Sequence, residues 1–265
     1  MTRSGPLILF VLATVGLLIS PGGSAEEGPL IAAAASTRSA LEDVAGRYLE
    51  VTGESVRLVF ASSGTLVQQI ENGAPFELFL SANEDYVLRL ANAGWTRGVP
   101  VNYAHGVLAL FSRPGLFELS DDPLAELNHA LNAGKVKRFV IANPEHAPYG
   151  SAARAALRHA GLWVKIKPLL LVGANAGQAV QYSIQAGVDA ALVPLSLAQA
   201  AALNRIGDLQ LLPAATYPDV LLRQQMVMLQ NSDRATLRFF EYLQSADAQA
   251  AFRDHGLKSP SLGPK

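Results

Sequence analysis

The chain has 265 residues, of which 50% are hydrophobic, a formal net charge of -1 and no cysteine. This length is enough for two modest domains, and the hydrophobic share is enough to bury a sizeable core. The charge balance argues against a nucleic-acid partner, and the lack of cysteine excludes disulfides, thiolate metal sites and a cysteine nucleophile.

The first 25 residues follow the order of a secretory signal peptide. Arg3 supplies a positive charge, residues 7–19 are almost all apolar, and a break at Pro21 leads to small residues at 23–25. The apolar run is shorter than the ~20 residues that a membrane-spanning helix needs, so a membrane anchor is the less favoured interpretation. The sequence therefore predicts export, cleavage after Ala25 and a soluble mature protein.

The first half of the remaining chain alternates short apolar runs with helical patterns. Apolar residues recur at helical spacing from Leu41 to Leu49 and stop at Gly53, which predicts a helix ending at a glycine. Val56–Ala61 alternates and is rich in β-branched residues, which predicts a strand. The other elements predicted here are strands at Leu30–Ala34 and Leu78–Leu80, and helices around Leu66–Ile70 and over Asn83–Ala93.

The same rhythm returns in the second half. Two long extended runs, Gly106–Phe111 and Met226–Leu229, are predicted to cross between the halves. The predicted strands are Phe139–Ala142, Leu169–Val172 and Ala190–Val193, and the predicted helices are Gly150–Ala160, Gln178–Gln185, Leu195–Leu203, Arg234–Leu243 and Ala246–Phe252.

This alternation is typical of βαβ units, in which a mostly parallel sheet is covered by helices on both faces. Two such units joined by two extended crossings make a hinged protein with two lobes. We therefore predict an α/β fold with a first lobe formed by residues 28–105 and 219–265 and a second lobe formed by residues 106–218.

Four predicted strand-to-helix junctions carry small or hydroxyl-bearing residues: Ala35–Thr37, Ser62–Thr65, Tyr149–Ser151 and Asn175–Gly177. Ligands of open α/β sheets bind outside the carboxyl ends of the strands, where the next helices begin with unpaired amides. Each helix start carries roughly half a positive charge, so four of them would balance on the order of two negative charges. The pattern favours a site for a dianion, although each junction taken alone is also an ordinary helix cap.

The run from Leu30 to Asn83, with its segments AAAS, FASSGTL and QIENGAPFELFLSA, closely resembles the molybdate-binding proteins of ABC importers. IANPEHAPYG at 141–150 resembles a second signature of this family, and residues 175–196 resemble a third more loosely. The resemblance implies a two-lobed periplasmic-binding-protein fold of type II. It also implies a monomer that binds molybdate or tungstate in the periplasm, without a further cofactor, and delivers it to a membrane permease.

The same resemblance implies which residues hold the oxyanion. The family contacts its ligand through hydroxyls and amides at the positions of Ser36 and Ser63, and through amides at the positions of Tyr149 and Ala176. Relatives with tyrosine at the position of Tyr149 add a phenol hydroxyl. Thr37, next to the first serine, is a further candidate.

The chain departs from the family pattern at several positions. Some members have a tyrosine that reaches the anion where this chain has Pro194, which has no donor, and we expect the Tyr149 hydroxyl to replace it. Arg38 is predicted to point to solvent or to the opposite lobe, because the family site is normally uncharged. Glu77 and Asn83 are interpreted as structural caps or turn residues.

Two alternatives stay open from the sequence. In the first alternative, the chain is a binding protein for another oxyanion, such as sulfate. In the second, it is a periplasmic enzyme on a similar scaffold. The enzyme is the less favoured alternative, because the five histidines lack a zinc-like spacing and no nucleophile elbow or phosphate-binding loop is present. His146 is interpreted as a loop histidine with a backbone partner.

Overall fold

A computed structural model describes residues 28–185, 187–218, 220 and 222–260. The predicted signal peptide lies outside these residues. Within them, no helix has both the length and the apolar character that crossing a membrane requires.

The strands of the described chain are β1 (Leu30–Ala34), β2 (Arg57–Ala61), β3 (Leu78–Ser81), β4 (Thr96–His105), β5 (Leu108–Ser112), β6 (Phe139–Ala142), β7 (Leu170–Gly173), β8 (Ala190–Pro194), β9 (Asp208–Leu211) and β10 (Arg223–Leu229). Its α-helices are α1 (Arg38–Thr52), α2 (Ser63–Glu71), α3 (Glu84–Asn92), α4 (Pro123–Asn132), α5 (Pro148–His159), α6 (Trp163–Ile166), α7 (Ala176–Ile184), α8 (Leu195–Ala200), α9 (Arg234–Tyr242) and α10 (Ala246–Asp254). A short 3₁₀ turn, Ala35–Thr37, connects β1 to α1.

The strands form two five-stranded sheets, in the orders β2-β1-β3-β10-β4 and β7-β6-β8-β5-β9. In each sheet the first three strands are parallel, and the fourth runs antiparallel to both of its neighbours. Four of the five strands in each sheet therefore run in the same direction, as the prediction of mostly parallel sheets requires, and one strand runs against them. The antiparallel strands β5 and β10 enter their sheets directly from the other lobe, so they do not need the helical crossover that parallel neighbours require.

The chain passes between the two sheets at residues 106–107 and again after β9, with residues 212–218, 220 and 222 described in this second crossing. These crossings touch each other, since the amide of Gly106 donates to the carbonyl of Leu222 at 2.8 Å. The runs predicted to be crossings, 106–111 and 226–229, lie mainly within β5 and β10. That prediction failed because a buried strand and an extended crossing both read as a short apolar run.

Each sheet is covered by helices that bury apolar side chains against it. The first sheet packs Ile31 and Leu78 against Phe239 of α9 and Phe252 of α10, so the end of the chain returns to the first lobe. The strands of this sheet come from the predicted first lobe, and those of the second sheet come from the predicted second lobe.

Helix starts are fixed by side chains that the sequence places there. Ser62 accepts a hydrogen bond from the amide of Thr65 at the start of α2, and Asn175 accepts one from Gln178 at the start of α7. Asn83 caps α3 in the same way, as predicted.

Glu77 has the structural role that the sequence suggested. Its carboxylate accepts hydrogen bonds from the amide of Leu30 at 3.0 Å and from the hydroxyl of Thr236 at 2.7 Å. It therefore ties the start of β1 to α9.

Candidate functional site

A small cavity lies between the lobes, where β1, β2 and β3 end and α2, α5 and α7 begin. Its volume is about 10 Å³, close to the space that one water molecule needs. All of the described residues that line it are uncharged: Ala34, Ala35, Ser36, Ala61, Ser62, Ser63, Ala82, Ala147, Pro148, Tyr149 and Ala176. Four of the five predicted site residues, Ser36, Ser63, Tyr149 and Ala176, therefore meet at one place.

The first lobe contributes two buried serines. Ser36 lies in the 3₁₀ turn after β1, and its hydroxyl has no hydrogen-bond partner among the described residues. Ser63 is the first residue of α2, and its hydroxyl oxygen accepts the amide of Ala82 at 3.1 Å, which leaves the hydroxyl proton available. A buried hydroxyl without a partner costs about 1–3 kcal/mol, so an unpaired one beside a cavity indicates a place for an acceptor.

The second lobe contributes backbone amides. Ala176 is the first residue of α7, and Tyr149 is the second residue of α5, after Pro148. Amides in the first turn of a helix have no carbonyl partner within that helix, and proline has no amide proton at all. The amides of Ala176 and Tyr149 are thus the first donors that their helices offer to the cavity.

Thr37 is the predicted site residue that does not line the cavity. Its hydroxyl donates to the carbonyl of Ala34 at 2.8 Å, within its own 3₁₀ turn, and the residue is fully buried. The turn therefore directs this hydroxyl back onto the backbone, whereas the neighbouring hydroxyl of Ser36 stays unpaired.

The Tyr149 hydroxyl belongs to a buried hydrogen-bond chain that connects the lobes. It accepts a hydrogen bond from the side-chain amide of Gln224 at 3.2 Å, and the carbonyl of that amide accepts the hydroxyl of Tyr103 at 2.9 Å. Burial raises the pKa of Tyr149, so its hydroxyl stays protonated as the pH rises through neutrality. The hydroxyl oxygen of Tyr149 accepts the Gln224 hydrogen bond, so its proton is available to donate to an acceptor nearby.

Three further hydrogen bonds cross the cleft, and sequence reasoning missed them. His146 Nδ1 lies 3.0 Å from the hydroxyl of Ser62, and the carbonyl of His146 accepts the amide of Gly64 at 2.9 Å. The hydroxyl of Ser196 donates to the carbonyl of Ser36 at 2.8 Å. The side-chain partners stand 84 and 160 positions apart, so no local pattern indicates them.

Arg38 and Pro194 are not among the described residues that line the cavity. Arg38 is half-exposed, forms an ion pair with Glu42 at 3.0 Å and stacks 4.2 Å from the centre of the Phe60 ring. It borders a wider groove between the lobes, of about 460 Å³, which agrees with its predicted direction. Pro194 ends β8 and precedes α8.

Comparison with known proteins shows the same family over nearly the whole described chain. Residues 29–258 match the family described as bacterial extracellular solute-binding protein. The molybdate-binding protein ModA of Azotobacter vinelandii is 36% identical over 190 residues, which cover 71% of this chain and 72% of that protein. ModA of Escherichia coli (strain K12) is 28% identical over 259 residues, which cover 94% of this chain and 96% of that protein.

The similarity extends to three dimensions. The solved structure of a periplasmic molybdate-binding protein from Azotobacter vinelandii superposes with a TM-score of 0.79 at 28% identity, covering 88% of this chain and all 100% of that one. Together with the two sheets, this match confirms the predicted two-lobed α/β fold.

Proposed function

The chain belongs to the bacterial extracellular solute-binding proteins and, within them, to the molybdate-binding proteins, and from this premise we propose that it binds molybdate or tungstate in the periplasm for an ABC importer. One observation carries the choice of ligand. Among the described residues, those that line the cavity shared by the lobes are uncharged and offer hydroxyls and helix-start amides, and none of them pairs with the Ser36 hydroxyl.

The physical chemistry of this lining suits a compact dianion. Helix starts and hydroxyls present partial positive charge without a titratable group, so a dianion is held by dipoles and not by a counter-ion. Ser36 and Ser63 come from the first lobe, and Tyr149 and Ala176 come from the second. An anion that bridges them favours the closed form, and we propose that the permease recognises that form.

Titration calorimetry of the mature, ligand-stripped protein in phosphate-free buffer tests this proposal. We expect one-to-one binding of molybdate and of tungstate, which have nearly the same size and charge. Sulfate is smaller and leaves some donors short of its oxygens; losing two bonds of about 1.5 kcal/mol each gives roughly 100-fold weaker binding. Sulfate binding as tight as molybdate binding would instead support a sulfate importer.

We also propose that the protein has no catalytic activity. The lining offers hydroxyls and amides, and none of its described residues is a carboxylate, a histidine or a lysine that would act as a general base. Incubation with aryl phosphate and aryl sulfate esters tests this proposal. Turnover that disappears in a Ser63→Ala variant would show that the site is an active site.

The proposed function also requires that the protein be exported to the periplasm. We propose that residues 1–25 are removed as a signal peptide and that the mature chain is a monomer in the periplasm. The intact mass of the protein recovered from a periplasmic extract, together with its mass by light scattering, checks both points. A mass that retains residues 1–25 would contradict cleavage.

Replacing Tyr149 by phenylalanine is expected to weaken molybdate binding. The change removes a hydroxyl proton and leaves the fully buried amide of Gln224 without its acceptor, which together cost about 1–3 kcal/mol, or roughly 5- to 150-fold in affinity. Tyr242→Phe is the matched control, because that hydroxyl bonds to Asp247 on the surface. Equal affinities for the wild type and Tyr149→Phe would remove this hydroxyl from the site.

A further inference from the structure

Two of the serines that line the cavity, Ser36 and Ser63, each have a hydrogen bond from the opposite lobe beside them. Beside Ser63, the turn before α5 provides His146, which contacts both Ser62 and Gly64. Beside Ser36, helix α8 provides Ser196. We call these contacts the cleft latch; none of them uses the hydroxyls of Ser36 or Ser63, which the proposed function assigns to the anion.

His146 fits the start of α2 closely. A Cβ atom on Gly64 would lie 2.8 Å from both the Cβ and the carbonyl oxygen of His146, so only glycine allows this approach. Among the first amides of α2, that of Thr65 bonds to Ser62 and that of Gly64 bonds to His146. The second lobe therefore binds the amide that follows Ser63 at the start of α2.

Ser196 forms the corresponding contact with Ser36. Both residues are 2% exposed, and the Ser196 hydroxyl donates to the Ser36 carbonyl at 2.8 Å. The bond holds the 3₁₀ turn that presents the unpaired Ser36 hydroxyl. Since the partners sit on different lobes, this bond and the His146 contacts exist only when the cleft is closed.

We propose that His146 and Ser196 are positioning residues that latch the closed cleft and set the rate at which the oxyanion leaves. This inference rests on the proposed function for its ligand but not for its geometry. The open cleft that the anion first meets lacks these contacts, whereas release from the closed cleft must break them, so loss of the latch acts mainly on the release rate. Breaking one hydrogen bond of this kind changes a rate by about 3- to 10-fold.

Stopped-flow measurement of molybdate association and release tests the latch. We expect His146→Ala and Ser196→Ala to release the anion about 3- to 10-fold faster, with association within about 2-fold of wild type. His146→Asn restores a polar atom near the Nδ1 position and should recover most of the loss. Gly64→Ala should also speed release, because its methyl group meets His146 only in the closed form.

A second readout does not depend on the ligand. The chain has no cysteine, so spin labels placed by Leu88→Cys on α3 and Val164→Cys on α6, both exposed, report the distance between the lobes. We expect His146→Ala and Ser196→Ala to shift the distance distribution toward open forms, with and without molybdate. Unchanged distances and release rates in both variants would overturn the latch, whereas shifted distances in a protein that binds no molybdate would overturn only the proposed function.

Discussion

Replacing both Ser36 and Ser63 by alanine should abolish tight molybdate binding and leave the fold intact. Hydrogen bonds from these hydroxyls to a dianion are charge-assisted and are worth about 1.5–3 kcal/mol each. If the two losses add, the affinity falls by roughly 150- to 20,000-fold. The Ser36 hydroxyl has no partner in the described chain, so its loss should change stability little, whereas the loss of the Ser63 hydroxyl leaves the buried amide of Ala82 without its acceptor and should lower the free energy of unfolding by about 1–3 kcal/mol. Calorimetric titration of the double variant and of each single variant measures these terms.

Thr37→Val is the matched control for this pair. It removes a hydroxyl one residue from Ser36 while keeping the shape of the side chain. The Thr37 hydroxyl bonds to the Ala34 carbonyl, so its loss should lower the free energy of unfolding by about 1 kcal/mol and leave the affinity unchanged. An affinity loss in Thr37→Val as large as that in Ser36→Ala would place Thr37 in the site after all.

The sequence predicted the helix starts well because cap chemistry is local. Ser62 and Asn175 bond to amides three residues ahead, and both can be read from the junction itself. The order of the strands and helices that were predicted followed from the same local patterns, whereas β4, β9, α4 and α6 were not predicted. Four residues named from separate junctions consequently line a single cavity.

Strands that depend on pairing with distant parts of the chain could not be predicted from local sequence patterns. Strand β4 was not predicted, since its exposed residues and Pro100 break any alternation, and its pairing with β10 contains register shifts. The short strand β9 has little apolar signal of its own. Both strands lie at the edge of a sheet and are held by tertiary pairing, which overrides weak intrinsic preference.

The directions of the site side chains were also not predictable from the sequence. Ser36 and Thr37 are adjacent hydroxyl residues in one turn, yet only the first presents an unpaired hydroxyl. The Tyr149 hydroxyl reaches Gln224 on β10, which lies 75 positions away. These directions depend on the packing of the two lobes against each other, which a single sequence does not display.

Gly150→Ala is expected to destabilise the protein and weaken the site together. Gly150 lies in the first turn of α5, and a Cβ there would stand 2.3 Å from the carbonyl oxygen of Ala142 at the end of β6. Backbone atoms cannot yield as a flexible side chain does, so we expect a cost near the upper end of overpacking, about 3 kcal/mol. For a chain of this size that lowers the Tm by roughly 6–12 °C, measurable by thermal unfolding of the ligand-free protein.

The affinity should fall as well, because relief of this contact moves α5 away from β6 and shifts the neighbouring amide of Tyr149 away from the cavity. Gly46→Ala provides the control: Gly46 is exposed within α1, and apart from the adjoining backbone of its own helix no described heavy atom lies within 4 Å of the added methyl group. Alanine there should raise the free energy of unfolding by about 0.5–1 kcal/mol and leave binding unchanged. If Gly150→Ala behaved like Gly46→Ala, the close approach of α5 to β6 would not be what holds the Tyr149 amide at the cavity.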